Sequence, residues 1–407
     1  MSEFLEAKNL IILGLRKKLR IIFQGWHVRK VINFSNFLKL VFLYLFAIFW
    51  VILCEFDYSK GFLSHLLSGN FTDKRISFYT TSERIGERTV YDRMSMLLDR
   101  LGYDYAAIKF SESLSHFWLT AHFYFVSATI VNYLLKPPFN LALTHHVSIL
   151  PFGHNIIYLN MPRDSFYSND GGFLKQWQHL YKYDEYIDLY GVMHGKNDML
   201  ENAIASTMGG KDKNIIALYL AQDIRPYNKL DMNKALITGT LWGCNRNSTR
   251  FAMALKRLAD DGLLVGVGAK IHLEFLKDAY LGRMEDFGTT PDAIDMLQKK
   301  YGIALIVHSQ EHMLEGIPTS RILEAVANGA LVISDKNKFL LKFFGDTILY
   351  FDIYGDTEEI YQQIRSHIIW AKNNPDKAHI KTRKAYQIFV DSFDMEKELD
   401  KLFNLTS

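Results

Sequence analysis

Arg321 and Glu324 stand three residues apart within the run Gly316-Ile317-Pro318-Thr319-Ser320-Arg321-Ile322-Leu323-Glu324-Ala325-Val326-Ala327-Asn328-Gly329-Ala330-Leu331-Val332-Ile333-Ser334-Asp335. On a helix that spacing puts both side chains on one face. Pro318 and Thr319 mark a helix start, with Thr319 or Ser320 as its cap. An arginine there lies beside free backbone N–H groups, and together they suit a phosphate. A glutamate one turn further in can accept hydrogen bonds from sugar hydroxyls. Gly329 suits the left-handed residue after a helix, and Ala330 to Ile333 suits a strand covered on both faces. The plain alternative is an ordinary α/β turn carrying a surface Arg–Glu pair.

Two other clusters carry candidate chemistry. Gly239-Thr240-Leu241-Trp242-Gly243-Cys244-Asn245-Arg246-Asn247 joins a strand at Leu236–Thr238 to a helix at Ser248–Asp260. A glycine-bearing loop that feeds a helix N-terminus can approach a diphosphate closely, with Gly239 and Thr240 in the loop and Arg246 and Arg250 as the available cations. Two surface arginines are the other reading. His145, His146 and His154 follow a short apolar strand, Leu141–Thr144. Ligands bind outside the carboxyl ends of such strands, where a histidine could take the proton of an attacking hydroxyl. Each of the three singly reads equally well as a satisfied loop residue. No third ligand at suitable spacing makes a zinc site, and no Asp-x-Asp stands in a suitable loop, so no metal and no cofactor are expected.

The Gly316–Asp335 segment resembles the donor-binding segment of GT-B glycosyltransferases, in the broad group 1 and CgeB-like set. Those proteins carry an arginine, two apolar residues, a Glu-Ala pair, a small-residue turn ending in glycine, and an apolar strand ending in aspartate. The likeness covers roughly residues 236–354. Glu315 and Glu324 are separated by eight residues where the commoner pattern has seven, so only Glu324 is carried over. The resemblance implies two Rossmann-like α/β domains facing across a cleft, and transfer of a sugar from a nucleotide-sugar donor to a glycan or lipid-linked acceptor hydroxyl. Pro318, Thr319, Ser320, Arg321 and Glu324 are the donor-binding residues it implies. It also implies metal-independent chemistry. A nucleotide-sugar epimerase on the same fold is an alternative, as is a non-catalytic membrane-associated scaffold.

The chain must supply the elements that hold these residues. Its 407 residues suffice for two or three domains, and a net charge of +3 is too near neutral to point to nucleic acid. Cys54 and Cys244 give no disulfide framework. Residues 1–73 read as a basic helical extension, 74–228 as an acceptor-side domain and 229–374 as the donor domain. The resemblance implies that a terminal helix within 375–407 crosses back to the first. Strands are expected at 76–80, 105–108, 141–144, 156–159, 186–190, 215–219, 236–238, 263–268, 303–309 and 347–352. Helices are expected at 89–101, 117–135, 248–260, 357–373 and 382–403.

Leu40–Cys54 holds fifteen residues without a charge, and Phe37–Phe56 makes twenty with Lys39 and Glu55 near its ends. Twenty helical residues span about 30 Å, the thickness of a bilayer core. The segment 37–56 therefore reads either as a membrane-associated helix or as a buried one. Arg16, Lys17, Lys18, Arg20, Arg29 and Lys30 precede it, which by the positive-inside rule would leave the rest of the chain outside the cytosol. A bacterial enzyme using a nucleotide-sugar needs the cytosol. The expectation is thus a cytoplasmic protein, associated with the inner face of the membrane if 37–56 meets one. The alternative is a type II membrane protein, which the sequons at Asn70, Asn247 and Asn404 would fit.

Overall fold

The computed structural model describes residues 42, 45–46, 48–49, 52, 56–81, 85–110, 118–143, 153–159, 188–193, 215–239, 241, 246, 248–288 and 290–406. They fall into two compact units, one comprising 1–56 with 113–131 and the other 57–112 with 132–407.

The larger unit contains two parallel sheets. The first uses β1 (Phe56–Tyr58), β2 (Arg75–Thr81), β3 (Asp104–Phe110), β4 (Phe139–Ala142), β5 (His154–Leu159), β6 (Leu189–Val192) and β7 (Ile215–Ala217), in the order β1-β3-β2-β4-β5-β6-β7. Its helices are α1 (Phe62–Ser68) and α2 (Ile85–Leu101), while α3 (Trp118–Leu135) belongs to the smaller unit as far as residue 131. In α2, Val90, Met94, Leu97 and Leu98 form one buried stripe that packs with Ile76 and Phe78 of β2. Such a stripe is what a 3.6-residue period places against a sheet.

The second sheet uses β8 (Lys234–Thr238), β9 (Leu264–Val267), β10 (Tyr280–Gly282), β11 (Gly302–Ile306), β12 (Leu331–Asp335) and β13 (Leu349–Phe351), in the order β10-β9-β8-β11-β12-β13. This is the 3-2-1-4-5-6 order of a doubly wound dinucleotide-type sheet, with its switch point between β8 and β11. Its helices are α4 (Thr249–Asp260), α5 (Lys270–Leu273), α6 (Thr290–Tyr301), α7 (Gln310–Glu315), α8 (Ser320–Ala327), α9 (Lys338–Phe343) and α10 (Thr357–Asn373), after which α11 (Pro375–Ser392) and α12 (Met395–Thr406) end the described chain. Side chains alternate across it as strand geometry requires. Ile237, Leu305 and Ile333 face Phe251, Leu255 and Leu258 of α4 and Ile360 and Ile364 of α10. Ala304, Ile306 and Val332 belong to the opposite cluster with Leu323 of α8 and Phe389 of α11. Both faces are covered, which explains the unbroken apolar strands. Full burial of each Leu or Ile is worth about 1.5–3 kcal/mol.

The single terminal helix expected from the sequence is two helices. Phe393 and Asp394 interrupt it. Phe393 packs on Tyr219 at 4.7 Å, Phe343 at 5.3 Å and Phe339 at 5.4 Å between ring centroids. Asp394 accepts the N–H of Ile224 at 3.2 Å and that of Glu396 at 3.4 Å, starting the next helix. α12 then lies on the first sheet, with the Phe403 ring 4.9 Å from that of Phe139 and Glu398 accepting the N–H of Tyr219.

In the smaller unit, residues 42, 45, 46, 48, 49 and 52 are helical. Ile48 is buried and its carbonyl accepts the Ser127 hydroxyl of α3, while Phe42, Leu45, Phe46 and Phe49 are exposed. Most of the 37–56 segment lies outside the described residues. Among those described, no helix is long and apolar enough to cross a membrane.

Candidate functional site

The carboxyl ends of β8, β11 and β12 converge on one set of polar groups. Gly239 follows β8 with φ +96°, a conformation that glycine adopts without strain. A Cβ on Gly268 would lie 2.1 Å from the Gly239 carbonyl oxygen, so two backbone turns touch where any side chain would part them. The next residue in the loop, Thr240, lies outside the described residues, as do 242–245.

α8 begins at Ser320, with Thr319 in the N-cap position at φ −88° and ψ 149°. Its side chain makes no cap bond, and the Thr319 Oγ1 atom is buried without a hydrogen-bond partner. The first N–H groups of the helix thus have no side-chain acceptor. Pro318 is buried and Ser320 half-buried. Arg321 is part-buried and donates from Nη1 to the Thr238 carbonyl at the end of β8. Burial lowers its pKa while Glu324 and Asp335 oppose the shift; a guanidinium nonetheless stays protonated in proteins, so Arg321 is a cation.

Two histidines that the sequence did not single out complete the arrangement. His308, directly after β11, is fully buried. Asp335 accepts its backbone N–H at 2.7 Å and contacts its Nδ1 at 2.6 Å. The Thr319 N–H points at His308 Nε2 from 3.4 Å. The neutral tautomer with its proton on Nδ1 satisfies both contacts. His308 thereby ties the start of α8 to the end of β12. His312 lies in α7, its Nδ1 2.8 Å from the Ser309 hydroxyl. Burial, then the neighbouring His308 ring and the charges of Arg246 and Arg321, hold its pKa well below the usual histidine value. The imidazole is therefore neutral at physiological pH. Arg246 is thus near enough to His312 for its charge to act on it.

Arg250 and His154 lie apart from this group. Arg250, in the first turn of α4, donates to the Tyr354 carbonyl at 3.2 Å. His154 is exposed at the amino end of β5, 3.3 Å from Asp188. The expectation of a base at a strand's carboxyl end does not fit that position, because β5 runs away from it. His145 and His146 lie outside the described residues. Glu324 is buried at 2% exposure and shares α8 with Arg321, but one carboxylate oxygen faces Arg93 of α2 at 3.4 Å. Burial pushes its pKa up and Arg93 and Arg321 pull it down. The missed residues had a faint signal: His308 and Asp335 each end an apolar strand run, where site residues of such sheets gather. Among the described residues, no group of three or more His, Cys, Asp or Glu could hold a metal ion.

No protein-family model matches the sequence, and no curated protein does. Solved structures do match. WaaG, a glycosyltransferase involved in lipopolysaccharide biosynthesis, is 11% identical with a TM-score of 0.52, over 82% of this chain and 99% of that one. Sucrose-phosphate synthase from Thermosynechococcus elongatus is 11% identical with a TM-score of 0.52, over 82% and 98%. Anabaena HepE, solved in complex with UDP and glucose, is 11% identical with a TM-score of 0.51, over 81% and 98%. Against S. aureus TarM, at 12% identity and a TM-score of 0.46, this chain spans only 59% of the other's length. Two parallel sheets in these orders, matched over nearly the full length of WaaG, sucrose-phosphate synthase and HepE, give the chain the GT-B glycosyltransferase fold.

Proposed function

We propose that the protein is a glycosyltransferase that moves a sugar from a nucleoside-diphosphate sugar to an acceptor hydroxyl. The observation that carries this is the position of Arg321, at the start of α8, against the carboxyl end of β8 at the switch point between β8 and β11. In the reaction the anomeric carbon loses its bond to the diphosphate and gains one to the acceptor oxygen, whose proton leaves. The leaving group is a polyanion, and preorganised donors stabilise it most where water is excluded. Arg321 and the free N–H groups of α8 supply that stabilisation in this reading without a bound metal. The Gly239 turn leaves room for the diphosphate, and neutral His312 can donate or accept without adding charge. The UDP and glucose held by HepE support a donor of this chemical class. The Arg321–Asp335 segment supports a place in the group 1 or CgeB-like set.

The acceptor in this proposal is a surface glycan or glycolipid. Support comes from the exposed Phe42, Leu45, Phe46 and Phe49 and from the basic run before them, which suit an anionic lipid surface. The site then works on the cytosolic side, where such donors are made.

Calorimetry with UDP, GDP, CDP and ADP, followed by transfer assays with the sugar conjugates in excess chelator, tests the reading. One nucleotide should bind and its conjugate should turn over. Failure of all four to bind would remove the donor site. Full loss of transfer in chelator would remove its metal-free form.

A further inference from the structure

Arg93 is a fully buried cation on a helix of the first sheet, yet most of its partners belong to the second. Its Nη1 donates to the Ala221 carbonyl at 3.2 Å and lies 3.4 Å from Glu324 Oε1. Its Nη2 is 3.3 Å from Asp295 Oδ1 on α6. The guanidinium thus joins α2, the connection between the sheets, α6 and α8 at one point. Glu324 is anchored by one oxygen only. Oε2 is buried and has no hydrogen-bond partner. A buried acceptor left unmade carries a penalty of about 1–3 kcal/mol, so a geometry that retains one is poised for a donor from outside the chain. Glu324 follows Arg321 by three residues on the same helix, on the side where the diphosphate is proposed to sit.

We propose that Arg93 is a positioning residue of the donor site, which it reaches from the other sheet. It holds Glu324 by Oε1 and leaves Oε2 for a hydroxyl of the donor's ribose or sugar. Donor binding is thereby linked to the junction of the two sheets. The inference rests on the donor-site reading above. The charges that face Glu324 are Arg93 from α2, Asp295 from α6 and Arg321 from its own helix. Arg225 stands behind Asp295 at 3.9 Å, and Asn328 and Gln298 are the neutral neighbours, with Asn328 bonded to both Asp295 and Gln298. Burial favours the protonated acid, and Arg93 heads the opposing charges. Without Arg93, Glu324 takes up a proton at a higher pH and ceases to accept from two sides.

The test measures Kd for UDP, GDP, CDP, ADP and their glucose conjugates from about pH 6 to about pH 9. The tightest ligand is then followed in wild type, Arg93→Met, Arg93→Lys and the double variant Arg93→Met/Glu324→Gln. Each variant is expressed as a ratio to wild type at the same pH, which cancels the ligand's own titration. Arg93→Met should bind roughly tenfold more weakly at the acid end, equivalent to about 1.4 kcal/mol, and recover as pH rises. Arg93→Lys should fall between, because it keeps the charge and loses the fork. The double variant should be weak and flat with pH, since it has no carboxylate left to titrate. A purely structural Arg93 would lower the melting temperature and leave the Kd ratio flat at one for whichever variants fold. If Arg93→Met does not fold, a ratio of one for Arg93→Lys at every pH overturns the inference. Wild type that binds none of the ligands would sink the donor-site reading and this inference with it. Binding by wild type with unchanged Arg93 variants sinks the inference alone.

Discussion

Replacing Arg321 by alanine separates stability from chemistry, because the two effects differ in size. Among the described residues Arg321 donates one hydrogen bond, from Nη1 to the Thr238 carbonyl. A hydrogen bond from a charged donor contributes about 1.5–3 kcal/mol, so Arg321→Ala should lower the unfolding midpoint by a matching amount. Its proposed work on the departing diphosphate is larger. Loss of one preorganised donor to a developing anion costs about 3–4 kcal/mol, roughly a hundred- to a thousandfold in rate. Arg321→Lys restores a charge without the planar fork and should recover part of the rate. Glu324→Gln offers an independent control on the same helix, with turnover and donor affinity both falling in a folded protein. The assay is sugar transfer in excess chelator beside urea unfolding of each variant. A folded Arg321→Ala protein with wild-type turnover would show that the leaving charge is balanced elsewhere. The opposite pattern, a large loss of stability with proportionate loss of activity, would make Arg321 a structural residue.

Three further outcomes follow from the geometry. His312 has a pKa held below its unfolded value, so below about pH 6.5 the unfolded chain binds a proton that the folded chain refuses. Stability should fall as pH drops through that range, by up to about 1.4 kcal/mol per pH unit, and His312→Gln should flatten the slope; an unchanged slope refutes the assignment. Asp335→Asn leaves His308 with one good acceptor instead of two, at a buried site with contacts of 2.6 and 2.7 Å. Hydrogen bonds to a charged group contribute about 1.5–3 kcal/mol each, so the urea midpoint should drop by a matching amount, and an unmoved midpoint would sink the account. Phe42→Ser/Phe49→Ser should weaken co-sedimentation with anionic vesicles, and equal sedimentation would remove the lipid contact from the proposal.

The sequence reveals the second sheet more fully than its site. Strand runs such as Leu236–Thr238 and helices such as 357–373 are strongly patterned because both sheet faces are covered, and the folded elements fall close to those runs. Element ends were less legible. α2 begins at Ile85, four residues before Thr89, and the 382–403 helix hides a break at Phe393 that only the aromatic cluster around it explains. Arg321 was legible because its neighbours form a recognisable order of small and apolar residues. Arg93 was not, since its partners Asp295 and Glu324 lie 202 and 231 positions away. Its one local signal is a cation beside Met94 and Leu97 on a buried helix stripe, which must find a counter-charge. His308 has only its place at the end of an apolar strand run to mark it, and His312 carries no pattern that separates it from a satisfied core histidine.

The return of α12 to the first sheet has a consequence for how the chain is made. Tyr219 and Glu398 are 179 positions apart, and Phe403 covers Phe139 and Tyr103 from still farther along. At roughly 5–20 residues per second, a ribosome needs roughly ten to forty seconds to pass from one to the other. The first sheet emerges early but keeps an aromatic face open for that interval. The whole second sheet is synthesised meanwhile, and its locally contiguous strands and helices can fold around α4, α6 and α10 first. The order of assembly then runs against the order of synthesis. Nascent chains stalled before residue 395 should therefore depend on chaperones that shield apolar surface, whereas those with residues 395–406 already clear of the ribosome should not.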